Sequence, residues 1–169
     1  MNEADLFNAL HGLKFDAGKS IRYHSHMRSR WTRLDHLNAI TTVFFGTSVA
    51  VSTFAKWPNV MIVTGVITSL SSCSDLVLKF SEKTREYSEL YKRWCDYLHD
   101  LEAIKTKDLT EEIIIEMKQA RLRIERDEPD VSRVMERYSS AEEAVALGLD
   151  VDDAWKLSWF SKLWCRLTS

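Results

Sequence analysis

Residues 37–74 read LNAITTVFFGTSVAVSTFAKWPNVMIVTGVITSLSSCS, and the only charged side chain among them is Lys56. Twenty residues free of Asp, Glu, Lys and Arg lie between Asp35 and Lys56, and eighteen more between Lys56 and Asp75. The chain as a whole is 28% charged, so these two blocks stand apart. A helix crosses the hydrocarbon of a bilayer with about 20 mostly apolar residues, within a range of about 17–25. Backbone polar groups in lipid must be satisfied within the segment, which makes each block a helix. Pro58 cannot continue a first helix, and it disfavours helical geometry at Trp57. Asn59 is then the expected cap of a second. The stretch reads as a transmembrane helical hairpin, 37–55 and 60–78, turning at 56–59.

The flanks give the hairpin a direction. Lys19, Arg22, Arg28, Arg30 and Arg33 precede it, and Lys79, Lys83, Arg85, Lys92 and Arg93 follow, whereas the turn carries Lys56 alone. Basic flanks stay in the cytoplasm, so both ends are expected there, at a bacterial inner membrane. Trp31 and Trp57 bracket the first block as interfacial anchors do. The blocks are only moderately hydrophobic, carrying Thr41, Thr42, Ser48, Ser52 and Thr53 in the first and a "SLSSCSD" end in the second. Small residues let membrane helices approach closely: Gly46 with Ala50, and Gly65, Ser69 and Cys73, stand four apart. Ser71, Ser72, Ser74 and Asp75 are candidates to line a wet path between copies. The plainer reading pairs Asp75 with Lys79, four residues on. The alternative to the membrane is a soluble bundle in the cytoplasm with both blocks in its core.

Around the hairpin the chain reads as an all-α cytoplasmic bundle. Residues 1–36 form a basic amphipathic helix with Tyr23, Met27, Trp31 and Leu34 on one side, leading directly into the first apolar block. In the helical region 79–148, Tyr87, Leu90, Tyr91, Trp94, Tyr97, Leu98, Leu101 and Ile104 trace one face of a long helix. Tyr87, Tyr91, Trp94 and Leu98 are its candidate partner-binding residues. "KTKDLTEE" breaks the helix, with Asp108 as expected cap and Glu111 completing a capping box. Ile113, Met117, Ala120 and Ile124 follow on one face until Pro129 ends the helix. Asp130 is expected to cap a last helix bearing Val131, Val134, Met135, Tyr138 and Val145, stopping at Gly148. Residues 149–169 form a Trp-rich amphipathic helix with Trp155, Trp159, Leu163 and Trp164 near one side. It suits either a membrane interface or the aromatic stripe.

Five Gly and two Pro are too few for a turn-rich β protein. A net charge of −2 argues against a nucleic-acid binder. Cys73, Cys95 and Cys165 are far apart and odd in number, which fits reduced thiols rather than a disulfide framework. The acidic N-terminus "MNEADLFNALHGLKFDAGKS" has no signal-peptide pattern. No phosphate-binding glycine loop, nucleophile elbow or paired-cysteine zinc spacing is present, so no enzyme activity, cofactor or metal is expected. His24 and His26 point to different sides of a helix and are expected to face solvent or lipid headgroups. Glu125, Asp127, Glu128 and Asp130 alternate with Arg121, Arg123 and Arg126 as a salt-bridged helix end.

"YHSHMRSRWTRLDHLNAITTVFFGTSVA", "SDLVLKFSEKTREYSELYKRWCDYLHDLE" and "RIERDEPDVSRVMERYSSAEEAVALG" together resemble the SLATT group of small bacterial and prophage two-transmembrane proteins. The resemblance covers roughly residues 20 to 148. It implies a helical bundle on a two-helix membrane anchor, self-associating, and acting as a pore-forming or membrane-perturbing effector in bacterial or phage conflict. With no sensor domain fused here, the resemblance implies a trigger that comes from another protein or a small ligand. The competing functions are a holin-like lysis protein and a helical interaction module that scaffolds or inhibits a host protein.

Overall fold

The computed structural model describes residues 2–55, 57–105 and 108–149, and among these the regular structure is all helical. Five helices follow in order: α1 Glu3–Phe54, α2 Pro58–Leu78, α3 Phe80–Ala103, α4 Glu111–Glu125 and α5 Arg133–Ala146. The Trp-rich helix expected over 149–169 lies outside the described residues, except for Leu149. The expected N-terminal helix and first apolar block are one continuous 52-residue helix. It starts with a reciprocal cap: Asp5 N–H donates to Asn2 Oδ1 at 3.0 Å, and Asn2 N–H to Asp5 Oδ2 at 3.2 Å.

Three expected caps are replaced. Pro58 occupies the first turn of α2, where its missing N–H costs nothing, and Trp57 takes the cap position instead of Asn59. Thr110 caps α4, its hydroxyl accepting from Ile113 N–H, because Asp108 falls in a short turn two residues too early. Ser132 precedes α5, where Asp130 had been expected. The stop at Gly148 holds: Gly148 lies at φ 70, its N–H reaches Val145 O at 3.1 Å, and Leu149 N–H reaches Ala144 O at 2.9 Å. That pair of bonds is a Schellman turn.

The chain divides into two compact units, one from residues up to Met27 and from Tyr87 onward, the other Arg28–Glu86. The first has a conventional core. Leu10, Leu13 and Ala17 of α1 pack with Leu90, Trp94, Tyr97 and Leu101 of α3 and with Ile114 and Ile124 of α4. Trp94 is fully buried, and burying such a side chain contributes several kcal/mol, on the scale of about 3–5 for its loss. Helix α5 buries Met135, Ser139, Ser140 and Ala144. Of the face expected for it, only Met135 is buried; Val131, Val134 and Val145 are exposed. Side-chain contacts from α5 to α1 include the pairs Lys19–Glu136 at 3.4 Å and Arg22–Glu143 at 2.6 Å, and the hydrogen bond between His26 and Glu142 at 2.6 Å.

In the second unit, α1 from Arg28 onward lies beside α2 and the start of α3. Thr53 meets Met61, Thr42 meets Ser71, Asp35 meets Ser81, and the Trp31 and Phe80 rings stand 6.0 Å apart. As one number falls the other rises, so α1 and α2 run in opposite senses. Lys79 separates α2 from α3 in a left-handed conformation, φ 49 and ψ 55.

Candidate functional site

The second unit is inside out. Between Arg28 and Glu86, the buried residues among those described are Ser52, Thr64, Ser71 and Phe80: three hydroxyls and one ring. Most of its large aliphatic and aromatic side chains face outward, while Trp31, Leu34, Phe45, Met61 and Ile67 are half-buried. Leu37, Ile40, Val43, Phe44 and Val51 on α1, and Val60, Ile62, Val63, Val66, Leu70, Leu76 and Val77 on α2, are all exposed, Leu76 by 81%. A water-soluble monomer rarely exposes a contiguous apolar patch beyond a few hundred Å². Among the described residues one helix, in the run Pro58–Ala103, is long and apolar enough to cross a membrane. Only 6% of its most apolar stretch is buried.

Most hydroxyls on the two apolar blocks are satisfied locally, whereas Trp31 Nε1 and Thr84 Oγ1, nearer the ends of the unit, are buried without a hydrogen-bond partner. Thr47, Ser48, Ser52 and Thr53 donate to the carbonyls four residues back at 2.6–2.9 Å, as do Thr64, Thr68, Ser69 and Ser74. A hydroxyl bonded to its own helix presents its carbon side outward. Ser71 is the exception that joins the helices: its Oγ donates to Asn38 Oδ1 at 2.5 Å and lies 2.9 Å from Thr42 Oγ1.

The expected packing and pore residues are therefore sorted. Gly46, Gly65, Ser69, Ser72 and Cys73 come together, with Val49 and Thr68, along one open groove. A Cβ on Gly46 or Gly65 would meet nothing within 4 Å, so the chain's own packing does not require either glycine. Ala50 is exposed away from that groove lining, and Ser71 is turned into the helix pair. Ser74 and Asp75 are exposed. The expected pairing of Asp75 with Lys79 is replaced, since the Lys79 ammonium sits 2.9 Å from Glu82. That hydrogen bond raises the Lys79 pKa and lowers that of Glu82. Trp57 is exposed at the turn, whereas Trp31 is half-buried beside Phe80.

In the first unit a polar cluster sits in the core. Glu128 Oε1 accepts from Trp94 Nε1–H at 2.6 Å and lies 2.9 Å from His24 Nε2. His24 is buried and His26 is paired with Glu142, so neither faces solvent or headgroups as the sequence suggested. Pro129 holds Glu128 beyond the end of α4, which frees its carboxylate for residues far away in the chain. Asp127 takes Arg93 at 2.9 Å, and that bond, helped by Arg126, holds its carboxyl below the usual carboxylate range. Arg121 joins Glu125 and Asp16. The salt-bridged helix end expected from local spacing thus exists, but Glu128 leaves it. The only sequence signal for this was the Glu-Pro step.

Of the proposed partner face, Tyr87 and Trp94 are buried in the chain's own core, and Tyr91 and Leu98 are half-buried. Tyr97 donates its hydroxyl to Met117 O at 3.0 Å, and burial pushes its pKa up to about 12. Tyr23 accepts from Ser132 N–H at 3.1 Å, with its pKa raised chiefly by burial. Among the described residues no cluster of His, Cys, Asp and Glu could hold a metal ion. Comparison with protein-family models, curated proteins and solved structures returns no match to this chain.

Proposed function

We propose that 37–55 and 60–78 cross a bacterial inner membrane as a helical hairpin, and that copies of the chain associate in the bilayer and change its permeability. The inverted burial of Arg28–Glu86 carries this reading: aliphatic side chains outside, Ser52, Thr64 and Ser71 inside. In water this arrangement has the wrong sign of hydrophobic free energy. In hydrocarbon it has the right one, because lipid matches the outward aliphatics while the hydroxyls of Ser52, Thr64 and Ser71 each have an acceptor. Basic Arg28, Arg30 and Arg33 before the hairpin, and Lys79, Lys83 and Arg85 after it, favour cytoplasmic ends. The open groove at Gly46 and Gly65 supports self-association, since close helix approach in lipid uses small residues. The permeability role follows the resemblance to SLATT proteins.

Two measurements test it in turn. Alkaline carbonate washing should leave the full chain in the membrane pellet; release into the supernatant overturns the hairpin. Liposomes carrying the purified chain should lose an entrapped dye as protein loading rises. Intact liposomes at high loading would leave the anchor standing and remove the permeability role.

A further inference from the structure

Arg33 stands at the head of the outward apolar row of α1. Arg33, Leu37, Ile40, Phe44, Thr47 and Val51 recur at alternating steps of four and three, so they share one side of the helix, and all are exposed. Ile40, Phe44, Thr47 and Val51 of this row, with Trp57 and Val60 from the turn into α2, line an open groove of about 770 Å³. Thr47 and Ser48 in that lining donate to carbonyls of their own helix, at 2.7 and 2.8 Å, which leaves the groove apolar. The charge above it is unanswered. In the first unit Arg22, Arg93 and Arg121 each hold a carboxylate. Among the described residues Arg33 holds none, and neither does Arg30, one turn earlier; Asp35 is taken by Ser81 at 3.0 Å.

We propose that Arg33, assisted by Arg30, binds the phosphate of an anionic phospholipid in the cytoplasmic leaflet, whose acyl chain lies in the groove along Ile40 and Phe44. This rests on the bilayer reading of 37–55 and 60–78. The lengths agree. From Arg33 to Ala39, where the groove begins, is about 9 Å along the helix, and from Ala39 to Thr47 a further 12 Å or so at 1.5 Å per residue. The second distance fits within one leaflet, half of a hydrocarbon core about 30 Å thick. A guanidinium meets phosphate through two parallel hydrogen bonds, and at the edge of hydrocarbon that pairing is less screened than in open water. A zwitterionic headgroup brings its own ammonium to the phosphate. An anionic one leaves the phosphate to the protein, so the site selects for net negative charge.

The full chain, reconstituted in phosphatidylcholine vesicles with a trace of lipid spin-labelled on its acyl chain, tests this by electron paramagnetic resonance, which resolves the lipid immobilised at the protein. Labelled phosphatidylglycerol should associate about fivefold more strongly than labelled phosphatidylcholine, the factor expected for one basic residue at a membrane surface. R33Q should bring the two lipids level. R33K keeps the charge without the planar fork and should fall between. R85Q removes another exposed arginine of the same unit and should leave the preference unchanged. Equal immobilisation of both lipids by the parent chain, or equal loss in R33Q and R85Q, would overturn the headgroup site and leave the hairpin standing. No immobilised lipid of either kind would overturn the hairpin, and the site with it. A preference abolished by inorganic phosphate at constant ionic strength would assign Arg33 to a soluble anion and overturn the lipid.

Discussion

His24 and Glu128, 104 positions apart, meet in the core at 2.9 Å, and Trp94 shares the same carboxylate oxygen at 2.6 Å. One acceptor thereby ties α1, α3 and the segment after α4. Glu128→Ala leaves the Trp94 indole N–H and His24 Nε2 without that acceptor, and an unsatisfied buried donor costs about 1–3 kcal/mol. Glu128→Gln keeps an oxygen in place and should lose less than half as much. Thermal unfolding in detergent, followed by near-ultraviolet circular dichroism of the tryptophans, measures both. Equal melting of the two variants would show that the oxygen is not what matters.

Val66 lies exposed midway along α2. In a bilayer, Val66→Arg places a charge near the helix centre, at an insertion cost of about 2.5–3.5 kcal/mol. The variant should be depleted from carbonate-washed membranes. On a water-exposed surface the same change is nearly neutral, within about 0.5 kcal/mol. Unchanged fractionation therefore speaks for water at that position.

Lys79 adopts φ 49 between α2 and α3, a region that costs a side-chain-bearing residue about 1–2 kcal/mol. Lys79→Gly should raise stability by about 0.5–1 kcal/mol. The lost Lys79–Glu82 pair is exposed on both sides and contributes little. Denaturant titration of the detergent-solubilised protein reads the sign.

Gly18 faces the Glu143 carboxylate, and a Cβ there would come within 2.2 Å of Oε1. Gly18→Ala must push that side chain aside and disturb its 2.6 Å bond to Arg22. Against this, alanine in a helix interior gains about 1 kcal/mol over glycine. The two effects nearly cancel, so the single variant should sit within about 0.5 kcal/mol of the parent. In an E143A background the same change should stabilise by about 1 kcal/mol, and a double-mutant cycle isolates the coupling.

Tyr97 gives a pH dependence with a definite sign. Its pKa in the fold is raised to about 12 from an ordinary value of 10.0, chiefly by burial, against the opposing pull of Arg121. The unfolded chain therefore ionises first. Its contribution is intact below pH 10 and is lost as pH rises from 10 towards 12. Tyr97→Phe should flatten the stability profile in that window while lowering stability below it, because the bond to Met117 O is gone. A profile equally steep in the variant would place the alkaline transition on another group, such as Tyr23.

How much was legible follows from the range of the forces involved. Pro58 at the α2 start, Gly148 after α5 and the uncharged block on α2 act within a few residues, through ring geometry, a positive φ and side-chain transfer energy. They stand in the sequence. Caps were readable only to within a residue or two, since Thr110 and Asp108 compete for one helix end and the tertiary path of the chain selects between them. Which hydroxyl turns inward was not readable at all: Ser71, Ser72 and Ser74 are chemically alike, and only the position of Asn38 and Thr42 on the neighbouring helix singles out Ser71.

The sequence by itself determined an all-helical chain, its breaks, and a segment apolar and long enough for lipid, because periodicity and composition are local properties. Tertiary structure decided that the aromatic stripe of α3 fills the chain's own core and that Glu128 serves His24 and Trp94 rather than its arginine neighbours. It also decided that α5 buries Met135, Ser139 and Ala144, pairs Glu136 and Glu143 with Lys19 and Arg22, and leaves Val134 and Val145 outward. Those outcomes depend on which distant groups arrive at hydrogen-bond or van der Waals distance, and no spacing within a single helix encodes that.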